Sequence, residues 1–126
     1  MKKKIVSMSE VVNRPLSDFI VEYELKENKS YKNFPGCILS FSYDINPTIH
    51  KVFCDIFPEF RKSSSPRDLV GPNEYIPSKG KANMWIVSEL NRLIHKKAIR
   101  KGRTCYLLNG IDVVATCTII KANGFL

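Results

Sequence analysis

The clearest pattern in the chain runs over Asp18–Lys26, DFIVEYELK, where Phe19, Val21, Tyr23 and Leu25 alternate with Ile20, Glu22, Glu24 and Lys26. Aromatic and β-branched residues at period two predict a strand with one buried face. Gly36–Tyr43, GCILSFSY, predicts a second strand, and residues 3–8, KKIVSM, a short one before both. The polar stretch Asn28–Pro35 reads as the loop between the two longer strands. After Asn46-Pro47, a helix-start pair, the period changes. Ile49, Val52, Phe53, Ile56 and Phe57 recur at i, i+3, i+4, i+7 and i+8, which predicts an amphipathic helix that Pro58 ends.

Arg61–Gly80, RKSSSPRDLVGPNEYIPSKG, holds three of the seven prolines and predicts a surface loop, with a short strand at Glu74–Ile76. Met84–Val87 reads either as a strand leading into a helix at Ser88 or as the first turn of one long helix. Either way Ile86, Leu90, Leu93 and Ile94 have helical spacing, and Gly102 is the expected stop. Thr104–Leu108 and Ile111–Ile120 flank Asn109-Gly110, which predicts a hairpin with a type I′ turn. The expected fold is α+β: a mainly antiparallel sheet with two amphipathic helices, ending in a β-hairpin. It forms a single globular domain over 1–126, with a surface loop over 61–80.

The composition, 126 residues with 44% hydrophobic and 25% charged, excludes wholesale disorder, collagen-like repeats and a disulfide miniprotein. A chain of this length buries roughly two-thirds of its surface, so neither a metal nor a disulfide is needed to hold it. No apolar run reaches bilayer-spanning length, and the one behind Lys2–Lys4 stops at Ser9-Glu10, short of a signal-peptide core. The expectation is an intracellular, non-secreted protein in which Cys37, Cys54, Cys105 and Cys117 are free thiols packed as small hydrophobes. No membrane partner is expected.

Charge is unevenly placed. The net charge is +8, and residues 90–126 contribute seven bases and one acid to it, three-quarters of the total. Arg92, Lys96, Lys97, Arg100, Lys101 and Arg103 lie within twelve residues, and no acid falls between Glu89 and Asp112. Arg92, Lys96 and Arg100 would form one helical stripe. Lys97 and Lys101 fall where the apolar stripe of Ile86, Leu90 and Ile94 would continue, so the last turns are expected to project beyond the core. Six phosphate contacts would give a log–log salt slope of roughly −4 to −5. The plainer reading is a solvated helix end whose cations complement the helix dipole. Tyr106, on the following strand, is a candidate for stacking on a base or for the core. The helix and hairpin of residues 83–120 together resemble a winged helix, whose hairpin is the wing; the strand-rich first half does not supply that family's preceding helices.

Other chemistry has less to work with. Glu22, Glu24 and Lys26 resemble the E-x-K strand of metal-dependent nucleases, which also requires an aspartate on a neighbouring strand, whereas Asp18 is on the same one. The stretch 37–57, with Ser42-Tyr43-Asp44 between strand and helix, resembles part of the macrodomains, which implies ADP-ribose binding. Ile45-Asn46-Pro47 stands where those domains carry a glycine-rich loop, and their later glycine-rich loop has no counterpart. His50 and Cys54 could share a helix face, and Cys54 or Cys105 could pair with His50 or His95, but no C-x-x-C or phosphate-cradle motif occurs. Trp85 is expected to be a core anchor.

The sequence thus points to a small basic accessory protein, of the kind found in viruses, phages or beside the ribosome. It is expected to bind DNA or RNA non-catalytically through Arg92, Lys96, Lys97, Arg100, Lys101 and Arg103, without catalytic residues, metal or cofactor, with Lys2–Lys4 as an added basic arm. An acidic protein is the other candidate partner for the basic run, and the alternative class is an interaction module that dimerises or binds a partner by strand addition along an exposed Ile111–Ile120 edge.

Overall fold

The computed structural model describes residues 16–26, 39–43, 53–62, 68–71, 73–86, 88–109 and 112–122. The alternation read at Asp18–Lys26 is realised in β1 (Phe19–Leu25), whose Phe19, Val21, Tyr23 and Leu25 are buried while Glu22 and Glu24 are exposed. There follow β2 (Leu39–Ser42), β3 (Phe53–Phe60), β4 (Lys79–Ile86), helix α1 (Glu89–Ala98), β5 (Thr104–Asn109) and β6 (Asp112–Ala122). The strands pair antiparallel in the order β1-β4-β3-β2-β5-β6, and β1 also pairs with β6. The sheet is therefore closed into a six-stranded barrel, with every strand hydrogen-bonded on both sides.

This overturns the α+β expectation with two amphipathic helices. The protein is mostly antiparallel sheet, and α1 is the one helix among the described residues. The segment expected to be the first helix contains β3 instead; residues 44–52 lie outside the described residues. Ile56, Pro58 and Phe60 are buried and stand opposite Ile86, Met84 and Ala82, whereas Phe57 and Glu59 stand opposite Trp85 and Asn83 on the outer wall. Ile56 and Phe57 are thus apolar on opposite faces of a strand, and their adjacency imitates the i+3, i+4 step of a helix. Pro58 does not end the element. Arg61 N–H donates to Lys81 O, so the backbone groups of odd-numbered residues in β3 point to β4 and those of Pro58 point away. Among the described residues, pairing with β2 reaches only Ile56 on that side, so the missing N–H interrupts no described ladder bond.

Strand-strand closure makes one continuous core of Phe19, Val21, Phe41, Ile56, Met84, Ile86, Leu107 and Ile119 with their neighbours. Trp85 anchors from the outer wall rather than from inside: it is buried there and its indole N–H donates to the buried Glu59 carboxylate at 2.7 Å. The described residues of the 61–80 excursion pack at the barrel end remote from α1. Leu69 bridges to Arg61, Val70 N–H donates to Phe60 O, and Leu25 N–H donates to Ser78 O, which seats Val70 on the core. The C-terminal hairpin is present, with its last described pair at Asn109↔Asp112, one residue beyond where an Asn109-Gly110 turn would put it. Residues 3–8 lie outside the described residues. No described helix is long and apolar enough to cross a membrane.

One interior layer is polar. Tyr23, Cys117 and Cys105 are register neighbours across β1, β6 and β5, and both cysteines are free and fully buried. Gly80 stands opposite Tyr23, and a Cβ there would come within 3.2 Å of the phenol oxygen, so the glycine makes room for the ring. The phenol has no hydrogen-bond partner among the described residues. Burial, then the nearby Cys117, raises the Tyr23 pKa well above its usual value; a hydrogen bond that the Cys117 thiol donates to Cys105, then burial, raises that of Cys117. Both groups hold their protons more tightly when folded. The unfolded chain therefore releases protons first as pH rises through the ordinary thiol and phenol values, about 8.5 and 10, and stability falls above them. Tyr23→Phe removes the unpaired buried hydroxyl and is expected to raise unfolding stability by about 1 kcal/mol at neutral pH and to lessen the alkaline loss. Urea unfolding at neutral pH and near pH 10 checks this, and a lower neutral midpoint for the variant refutes it.

Candidate nucleic-acid interface

The starts of β1, β3 and β5 and the ends of β2, β4 and β6 meet at one mouth of the barrel, where α1 is attached. The attachment is polar. Asp18, 1% exposed, accepts from Ile86 N–H at 2.7 Å and from Arg92 Nε at 2.7 Å, while its own N–H donates to Met84 O. One carboxylate thus joins the start of β1, the end of β4 and the first turn of α1. A turn later, His95 is fully buried, its Nδ1 2.6 Å from the Tyr43 hydroxyl and its ring edge-on to Phe41. Ile99 is buried beyond it. Arg92, His95 and Ile99 are spaced i, i+3 and i+7, so this is the face α1 turns to the barrel.

That face differs from the one expected. Leu93, assigned to an apolar stripe, is 64% exposed. The polar pair Arg92 and His95 faces inward because the mouth offers a carboxylate and a phenol to receive it. Leu90 and Ile94 side chains lie outside the described set.

Of the six expected phosphate contacts, Arg92 does not belong to the exposed set: it is an ion-pair partner of Asp18, with a side chain 22% exposed. Lys96, Lys97, Arg100, Lys101 and Arg103 are all exposed, along the end of α1 and the turn after it. Gly102 shapes that turn. With φ of 88° it occupies a conformation that favours glycine, and its N–H donates to Ile119 O, while Ile119 N–H donates to Arg103 O. Two residues therefore face one, a bulge that re-aims Arg103. Its guanidinium lies over the Tyr43 ring, 4.4 Å from the centroid, and Nη1 donates to Ala98 O at 2.9 Å. Exposed Lys121, near the end of β6, adds a cation at this mouth that the sequence reading did not single out. Lys2–Lys4 lie outside the described residues.

The other candidates are not brought together. Glu22 and Glu24 sit on the outer wall between Lys81 and Lys79 on β4 and Thr118 and Thr116 on β6, around a shallow recess over the Gly80 backbone. Lys79 Nζ is 3.8 Å from Glu24 Oε1, an exposed pair of little energetic weight. Asp18 is four residues up the strand from Glu22, roughly 13 Å, and is engaged by Arg92. No group of three His, Cys, Asp or Glu that could hold a metal occurs among the described residues. Cys105 is paired with Cys117 inside the barrel and His95 with Tyr43 at its mouth, so the two do not form a nucleophile and base. His50 lies outside the described residues, as does the Cys54 side chain. Tyr106 is half-buried on the outer wall, opposite Ser42 and Thr116. β6 is paired by β5 along one edge and β1 along the other, which removes the free edge that strand addition requires. The chain matches no protein-family profile, no curated protein and no solved structure.

Asp18→Ala removes the acceptor shared by Arg92 Nε and the Ile86 N–H, and is expected to cost about 3 kcal/mol of unfolding stability. Lys97→Gln is expected to stay within about 0.5 kcal/mol of wild type. Thermal or urea unfolding of both variants checks the contrast; equal effects would show that Asp18 does not organise the mouth.

Proposed function

We propose that the protein binds nucleic acid non-catalytically, through phosphate contacts made by Lys96, Lys97, Arg100, Lys101 and Arg103 at the α1 mouth of the barrel. The observation that supports this reading most directly is the separation of roles among the bases. The one basic residue of the run that meets a buried acid, Arg92, is an ion-pair partner of Asp18, and the other five are exposed over the end of α1 and the turn that follows it. A helix end that needed only dipole compensation would not carry its cations on through the turn to Arg103. The end of β6 contributes exposed Lys121. Cations spread over a surface, instead of converging in a pocket, suit a ligand whose negative charge is repeated along a backbone. The mixed Glu and Lys outer wall at β1 and β4 offers no such field, and no observation favours catalysis there.

Five phosphate contacts correspond to a log–log salt slope of roughly −3.5 to −4.5, shallower than six would give. Lys97→Gln is expected to reduce the slope by about 0.7–0.9, and Arg92→Gln to leave it unchanged while lowering stability. Fluorescence anisotropy with labelled single- and double-stranded DNA and RNA, between about 50 and 200 mM salt, measures both. Absence of binding at low salt refutes the reading, and the basic run would then be a solvated helix end. Preferential binding of an acidic polypeptide over either polymer would move the function to a protein partner.

A further inference from the structure

We infer that Arg103 is a stacking platform for an unpaired base, so that the ligand of this mouth is single-stranded nucleic acid. The inference rests on the nucleic-acid reading above and narrows it. Its basis is the way Arg103 is mounted. Phe19 meets Phe41 edge-on at 5.8 Å, and Phe41 meets Tyr43 edge-on at 5.0 Å. The Tyr43 hydroxyl is tied to buried His95 at 2.6 Å. A rigid aromatic column therefore rises from the barrel core to its mouth, and the Arg103 guanidinium caps it at 4.4 Å. The bond from Nη1 to Ala98 O fixes the group at a second point.

The plane of Arg103 is thus set before any ligand arrives. Its guanidinium carbon lies over the Tyr43 ring, and the residue remains exposed to solvent. A guanidinium plane with an open face accepts a nucleobase by stacking, as aromatic rings do. The bases of a duplex are already covered on both faces by their neighbours, and those of a single strand can be turned out. Lys101 and Arg100, exposed immediately before Arg103, would hold the phosphates on either side of that base. A lysine in place of Arg103 would keep the charge and lose the plane, which separates stacking from simple attraction.

The test compares wild type with Arg103→Lys on four probes: a short single-stranded DNA, the matching RNA, the duplex, and a single strand of equal length whose sugars carry no bases. The DNA and RNA arms show which backbone is preferred. Wild type is expected to bind the base-bearing single strand roughly tenfold more tightly than the baseless one, and Arg103→Lys to lose that difference while keeping the salt slope. A purely structural role for Arg103 would lower all affinities together and would not remove the dependence on bases. Equal binding of base-bearing and baseless strands by wild type overturns the inference while leaving phosphate binding intact. So does an Arg103→Lys variant that retains the base dependence. Failure of every probe to bind in low salt instead refutes the nucleic-acid reading itself. Should Arg103→Lys not fold, the wild-type comparison of the two single strands and the duplex decides alone.

Discussion

A single buried carboxylate organises the functional end of this barrel. Asp18 receives a backbone N–H from β4 and a guanidinium from α1, and its own N–H closes the first ladder bond between β1 and β4. An unpaired charge at that depth would be untenable, so the carboxylate and Arg92 require one another. The requirement orients α1. Once Arg92 is drawn inward, residues three and seven positions later follow it, which puts His95 beneath Tyr43 and Ile99 against the core. Lys97, on the far side of the helix from that face, is left pointing outward, and exposed Lys96 flanks it. The exposed charge within α1 is thus set by a buried interaction, and Arg100, Lys101 and Arg103 follow in the turn beyond the helix.

The barrel wall and the barrel mouth divide the labour. Closure gives each strand a neighbour on both sides, and the outer wall over β1, β4 and β6 alternates Glu, Lys and Thr in a solvated ladder. Such a wall holds no free edge and no concentrated field. The mouth has both irregular backbone and concentrated charge, because the connection from β4 to β5 must leave the sheet and return. Gly102 makes the return possible, and the bulge it creates decides where Arg103 lands. The aromatic column beneath Arg103 links that surface group to the same core that closes the barrel.

Much of the sheet was legible in the sequence, for local reasons. β1 shows a clean period of two because one face is core and the other water. The β5–β6 hairpin shows a turn flanked by β-branched runs. β3 was misread because it is apolar on both faces: Ile56 and Phe60 meet the core while Phe57 and Trp85 share a covered outer wall, and a two-faced strand has no single period. Closure itself left no local trace, since it depends on pairing residues as distant as Val21 and Ile119. At the mouth, the basic run could be counted but not oriented. Nothing near Arg92 announces Asp18, 74 residues earlier, and nothing near Arg103 announces Tyr43. The charge was readable; the partners that sort inward from outward cations were not.

The seam between β1 and β6 bears on the order of events during synthesis. Pairs such as Phe19↔Ala122 join positions about a hundred residues apart. A ribosome adding roughly 5–20 residues per second completes β6 some 5–20 seconds after β1. Until then β1 has at most β4 beside it, and its other edge is a row of unanswered N–H and C=O groups. The barrel is therefore a structure in which early strands wait for late ones, β1 for β6 and β2 for β5, and each waiting edge is a place where a cell must keep neighbouring nascent chains apart.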